Sequence, residues 1–127
     1  MDNNIKTVVM PLSTRTINTM FVLGSQPKEP ATIEVKISTE MREKLNDDLY
    51  AHHTVVLCEC EQTGLKIALT VETQIFATGE KEEIFKIVKS EIQPTTFKFA
   101  EKVIDKLASI HGVALHIPIS NPNEIEE

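Results

Sequence analysis

Four side chains in one short stretch are of types that bind metals or act as nucleophile and base: His52, His53, Cys58 and Cys60. On a regular strand successive side chains alternate between faces, so His52, Cys58 and Cys60 share one side and His53 points to the other. Structural zinc, however, takes four ligands and draws its paired cysteines from a turn with C-x2–4-C spacing. Here the cysteines lie within an apolar strand-like run and a fourth ligand is missing. Cysteine as a small buried hydrophobe accounts for both positions better, and no metal or other cofactor is expected. Catalytic patterns are absent too: there is no G-x-S-x-G, H-E-x-x-H, P-loop or dinucleotide glycine motif. His111 falls on an apolar helix face beside a helix C-terminus, where a cation is favoured. Glu82 and Glu83 with Lys86 are surface pairs at helical spacing. The expectation is a protein that is not an enzyme.

The elements around these residues follow from periodicity. Ile33, Val35 and Ile37 mark one strand within residues 31–38. Residues 49–61 form a second, after a break rich in Asn46, Asp47 and Asp48. Leu65, Ile67, Leu69, Val71 and Ile75 mark a third, within residues 65–77, whose odd positions are the apolar ones. Val55, Val56 and Leu57 are consecutive, a pattern that suits a central strand covered on both faces. Thr63-Gly64 joins the last two segments as a hairpin, and Thr78-Gly79 ends the run. Upstream, residues 5–10 and 17–23 also read as strand, either as a hairpin or as one irregular edge strand, with Pro11 favouring an edge or a break. Met41 to Leu45 fits a helical turn or a strand extension.

The period then changes. Residues 80–91 make a charged amphipathic helix with Ile84, Ile87 and Val88 on one side, and Pro94 ends or kinks it. Thr95 or Thr96 can cap a second helix, over 97–111, and Gly112 stands where a left-handed C-terminal cap belongs. Phe97, Phe99, Ala100, Val103, Ile104, Leu107, Ala108, Ile110 and His111 fill half of that helix's circumference. One core contact needs only about 100°. A subunit interface through Phe99, Val103, Leu107 and Ile110 would cover the surplus, since apolar area of that size is rare on monomers; a deeper intrachain core would cover it as well. Strands first and helices last predict an α+β fold, an antiparallel sheet with helices packed on one face. The apolar run Val113–Ile119, closed by Pro118, is expected to pack across a single domain of residues 1–122, before a mobile acidic tail at 123–127.

The chain has 127 residues, enough to bury about two-thirds of its unfolded surface as one domain. Its net charge is −6, and residues 31–79, with four basic and eight acidic groups, carry −4 of it. An acidic sheet argues against nucleic acid, whose phosphates call for Lys and Arg. No apolar run approaches the length needed to cross a bilayer, and the polar Met1-Asp2-Asn3-Asn4 start is unlike a secretory signal. Two cysteines two apart on a strand suit free thiols in a reducing compartment, so the cytoplasm is expected.

With the order of elements in place, the chain resembles the SecB protein-export chaperone family. The resemblance rests on Glu34-Val35-Lys36-Ile37, on Lys44-Leu45-Asn46-Asp47-Asp48-Leu49-Tyr50, on Gln74-Ile75-Phe76-Ala77, on Ile92-Gln93-Pro94-Thr95-Thr96-Phe97 followed by Ala100-Glu101 and Gly112, and on Leu115 to Pro122. These short, non-catalytic matches span residues 31–122, and small bacterial SecB-like proteins fit equally closely. The resemblance implies a four-stranded antiparallel sheet followed by two helices, assembled as a homo-oligomer, a dimer or tetramer. It implies binding of unfolded polypeptide in apolar grooves, for which Ile75, Phe76, Ile84, Phe85 and Phe97 are the candidates. It also implies delivery to the translocase ATPase SecA, which the family contacts through acidic side chains of the first and last strands. Here Ile17 to Leu23 carries no acid, Thr70 stands about where the last strand's glutamate falls, and the family's terminal helix is replaced by Asn121 to Glu127.

Overall fold

Alternation on two strands builds the core. Tyr50, His52, Thr54, Val56, Cys58 and Cys60 are buried along β3 (Leu49–Cys60), and Leu65, Ile67, Leu69, Val71, Thr73, Ile75 and Ala77 along β4 (Leu65–Thr78). The antiparallel register sets them directly opposite one another, Val56 against Leu69 and Cys58 against Ile67, so one apolar face spans both strands. Gly64, at φ +82°, turns the hairpin between them, and its N–H donates to Cys60 O at 2.8 Å. A computed structural model describes residues 6–22, 24, 33–43, 48–112 and 116–119. In it β1 (Val8–Val22) and β2 (Glu34–Glu43) complete a four-stranded antiparallel sheet in the order β1-β4-β3-β2.

The N-terminal region is one irregular edge strand. Its register against β4 shifts between Pro11 and Ser13 and again between Thr16 and Asn18, leaving Leu12 and Ile17 as bulges. Proline is tolerated at an edge because no second neighbour needs its missing N–H. Met41 and Arg42 continue β2 as strand. β3 is central, yet the expectation that both its faces are covered fails within this chain. Val56 is fully buried while Leu57 is 43% exposed on the opposite face, where no helix lies among the described residues.

The two expected helices are one continuous helical segment: α1 (Lys81–Ile87), a widened π turn over Val88–Ile92, and α2 (Gln93–Ile110). Proline lacks an N–H, and its ring crowds the carbonyl four residues back. Widening the preceding turn, with Gln93 N–H bonded to Val88 O, admits Pro94 without ending the helix. Thr96 therefore serves inside the helix rather than as its cap. Its hydroxyl donates to Ile92 O at 3.2 Å and bonds Thr73 Oγ1 at 2.9 Å. Gly112 takes the left-handed φ of +76° beyond the helix end. Phe97, Ala100 and Ile104 seat α2 on the larger core cluster, which Ile117 and Ile119 join from the C-terminal side, and Ala108 is buried on the same line of the helix. Ile84, Val88 and Ile92 form a smaller cluster with Tyr50, Ile75 and Ala77. The expected acidic tail at 123–127 lies outside the described residues.

Candidate functional site

The two buried clusters are separated by a polar seam beneath the π turn. Thr14, Thr73 and Thr96 form a hydroxyl chain from β1 through β4 to α2, at 3.1 and 2.9 Å. Next to it His52 Nε2–H donates to Gln93 Oε1 at 3.2 Å. His52 Nδ1 and Thr54 Oγ1 are buried without a hydrogen-bond partner. Removing the unsatisfied hydroxyl should help folding: Thr54→Val is expected to raise the unfolding free energy by about 1 kcal/mol, read from urea melts. Burial holds the His52 imidazole below its ordinary value of 6.5, against the Gln93 hydrogen bond that favours its charged form. The unfolded chain then takes up a proton on His52 below pH 6.5 that the folded chain resists. Stability from this group is complete above that pH and falls as the pH drops below it, by up to about 1.4 kcal/mol per unit. Urea midpoints at pH 7.5 and 5.5 should differ less in His52→Gln than in the parent.

The histidine and cysteines considered for a metal are not brought together. His52 and Cys58 are six residues apart on one strand, about 20 Å at its ordinary rise, and His53 points to the opposite face. Both cysteines are buried free thiols, and burial pushes Cys58 up to about 11. Among the described residues no three His, Cys, Asp or Glu side chains cluster to hold an ion.

On the open face of the sheet, register builds a row that no sequence pattern announces. Glu72 on β4 is 7% exposed and accepts hydrogen bonds from His53 on β3 at 3.0 Å and from Arg15 on β1 at 3.1 and 3.2 Å. The His53 bond first, then the Arg15 contacts, hold the Glu72 carboxyl below the usual carboxylate range against the opposing effect of burial. Beside this row, Met20, Leu57 and Ala68, with Lys36 and Lys66 balanced by Glu34 and Glu59, line a shallow depression of about 110 Å³. That is small for a site enclosing a drug-sized molecule, which takes about 300 Å³ or more.

The five groove candidates do not line one furrow. Ile75 and Ile84 are fully packed in the smaller cluster, and Phe97 is 2% exposed in the larger one. Strand alternation puts Phe76 on the open face, opposite Met10. Only Phe85, 45% exposed on α1, is an open apolar surface among them. Phe99, Val103 and Leu107 are half-buried, and Ile110 is 73% exposed. At 100° per residue these four form a single stripe, about a third of a turn from the buried line of Phe97, Ala100, Ile104 and Ala108.

The chain itself covers the opposite flank of α2. Ile119 N–H donates to Glu101 Oε2 at 2.8 Å, and His116 Nδ1 bonds the Asp105 carboxylate at 3.2 Å. The stripe lies on the other side, where the His111 ring stacks on Phe21 of β1 with centroids 4.5 Å apart. β1 carries six of the ten large hydrophobic side chains exposed among the described residues: Val8, Met10, Leu12, Ile17, Met20 and Val22. Sequence reasoning missed this surface because its strand limits stayed open, although its density of Val, Met, Leu and Ile was there to read.

Sheet order and helix placement can be compared with solved structures. One that matches is the Mycobacterium tuberculosis Rv1957 SecB-like chaperone, in complex with a ChAD peptide from the Rv1956 HigA1 antitoxin. The superposition covers 89% of this chain and 88% of that one, with a TM-score of 0.73. The fold is SecB-like. Sequence identity is 9%, so the likeness is one of fold alone. No protein-family model matches the chain, and no curated protein is similar to it in sequence. Among the described residues no helix of this SecB-like fold is long and apolar enough to cross a membrane.

Proposed function

We propose that the protein is a non-enzymatic SecB-like subunit that holds other polypeptides on apolar surface, in the manner of a holdase. The observation that carries this reading is the concentration of exposed hydrophobic side chains on β1: Val8, Met10, Leu12, Ile17, Met20 and Val22. Apolar burial yields about 25 cal/mol per Å² with no directional demand, which suits clients of varied sequence. Assembly into a dimer or tetramer runs through the α2 stripe, and Phe85 with the exposed β1 side chains remains for clients. Two free buried thiols fit a reducing compartment such as the cytoplasm. Suppression of light scattering from a denatured client at stoichiometric amounts tests the reading, and unchanged scattering would refute it. Phe85→Ser, which leaves the core intact, is expected to weaken suppression several-fold without moving the melting curve.

A dedicated adaptor with one peptide partner is the second reading. It is favoured by the solved SecB-like relative, whose structure holds a peptide from one antitoxin, and by the lack of acids on β1 for a translocase contact. A pull-down dominated by a single protein, with no protection of denatured clients, would select it.

A further inference from the structure

We propose that β2 is a subunit interface of its own, pairing antiparallel with β2 of a second copy about a two-fold axis at Ser38. This holds whether or not the protein holds clients. β2 bonds to β3 on one side, and among the described residues no strand borders the other. Such an edge presents a row of unpaired N–H and C=O groups that another strand can take up.

The side chains specify which strand. On the open face of the sheet β2 displays Glu34, Lys36, Ser38, Glu40 and Arg42, all exposed. A two-fold pairing centred on Ser38 sets Glu34 opposite Arg42 of the second copy and Lys36 opposite Glu40 of the second copy. Symmetry repeats both pairs on the other side of the axis, and serine meets serine between them. Even positions meet even positions, so each copy keeps its faces and the sheet runs on from one subunit into the next. The register is also singular. A slide of two residues in one direction opposes Glu34 to Glu40, and in the other direction Lys36 to Arg42, and like charges directly opposed are destabilising.

Contacts within the chain leave these charges waiting. Across β3, Glu34 stands opposite Glu59, a like charge whose own cross-strand neighbour is Lys66. Arg42 stands opposite Ala51, and its ion pair is an exposed one along its own strand, with Glu40 at 3.3 Å. Exposed pairs of that kind hold weakly and exchange readily. On the helix face, the same register covers Val35, 36% exposed, with Met41 of the second copy. Charges that merely kept an edge solvated would have no need to match their own reversed order. That self-complementarity selects a second copy over a client peptide.

Ser38→Cys tests it, because directly opposed Cα atoms lie about 4.5–5.5 Å apart, within disulfide range. The native Cys58 and Cys60 are buried. Under mild oxidation Ser38→Cys is expected to form a disulfide-linked dimer at least tenfold faster than Ser90→Cys, an exposed position on the helix. Adding Lys36→Glu should bring the rate down to that background, and adding Glu40→Lys to the pair should restore it, since the reciprocal swap makes the row self-complementary again. Equal cross-linking with and without Lys36→Glu would overturn the proposal. So would a Ser38→Cys protein that keeps the parent melting curve and links no faster than Ser90→Cys, even if the protein assembles through another surface.

Discussion

Phe97→Ala is expected to lower the unfolding free energy by about 3–5 kcal/mol, a large part of the roughly 5–15 kcal/mol that holds a domain of this size together. Phe97 is 2% exposed and shares the larger cluster with Val56, Leu69, Val71, Ala100 and Ile104. Truncation there removes the ring's transfer free energy and leaves a cavity between helix and sheet. Phe99, two residues on and nearly opposite around the helix, is half-buried and should lose well under half as much on the same truncation. Urea midpoints for the two variants fix the rotation of α2 on the sheet, and equal losses would refute an orientation with Phe97 inward and Phe99 at the margin. The pair also bears on function. A Phe97→Ala protein that no longer protects clients reports unfolding, so only surface positions such as Phe85 can report binding.

β3 and β4 were legible because one face of each is buried. Period-two alternation at Leu65, Ile67, Leu69 and Val71 is the direct trace of that burial, and the opposing even positions of β3 repeat it. β1 was not legible as a single strand for the converse reason. With Met10, Leu12, Ile17 and Met20 all more than 40% exposed, neither face is sorted from the other, and two bulges shift the parity midway. Pro94 reads as a stop because its missing N–H and its clash are local facts. The π turn that accommodates them is a property of the packed helix, fixed in part by Ile92 and Val88 entering the smaller cluster. The site suffered most from adjacency. Ile75 and Phe76, like Ile84 and Phe85, are neighbours in sequence, yet alternation on the strand and the 100° step on the helix send one of each pair inward and one outward. Glu72 gains meaning only when register brings Arg15 and His53 to its sides. The charge row of β2 was on view throughout, but it becomes a pattern only on an edge known to be free.

Ile110→Lys is the variant expected to separate assembly from folding. Ile110 is 73% exposed and lies in the last turn of α2, which holds no basic residue. A cation near a helix C-terminus is favoured by the macrodipole, so the subunit should melt at the parent temperature or slightly above it. If the stripe Phe99, Val103, Leu107 and Ile110 meets its counterpart in another subunit, the same ammonium group is enclosed without a partner. An unpaired charge closed into an interface costs about 3–5 kcal/mol, which is roughly a hundred- to several-thousand-fold in dissociation constant. Sedimentation at micromolar concentration should then show the assembly reduced while the melting curve is preserved. Unchanged mass would mean that the stripe faces solvent or clients, and that assembly, where it occurs, runs through the strand edges alone. Combined with Lys36→Glu, the substitution distinguishes the two surfaces: each single change should remove one step of association, and the double variant should leave only the subunit.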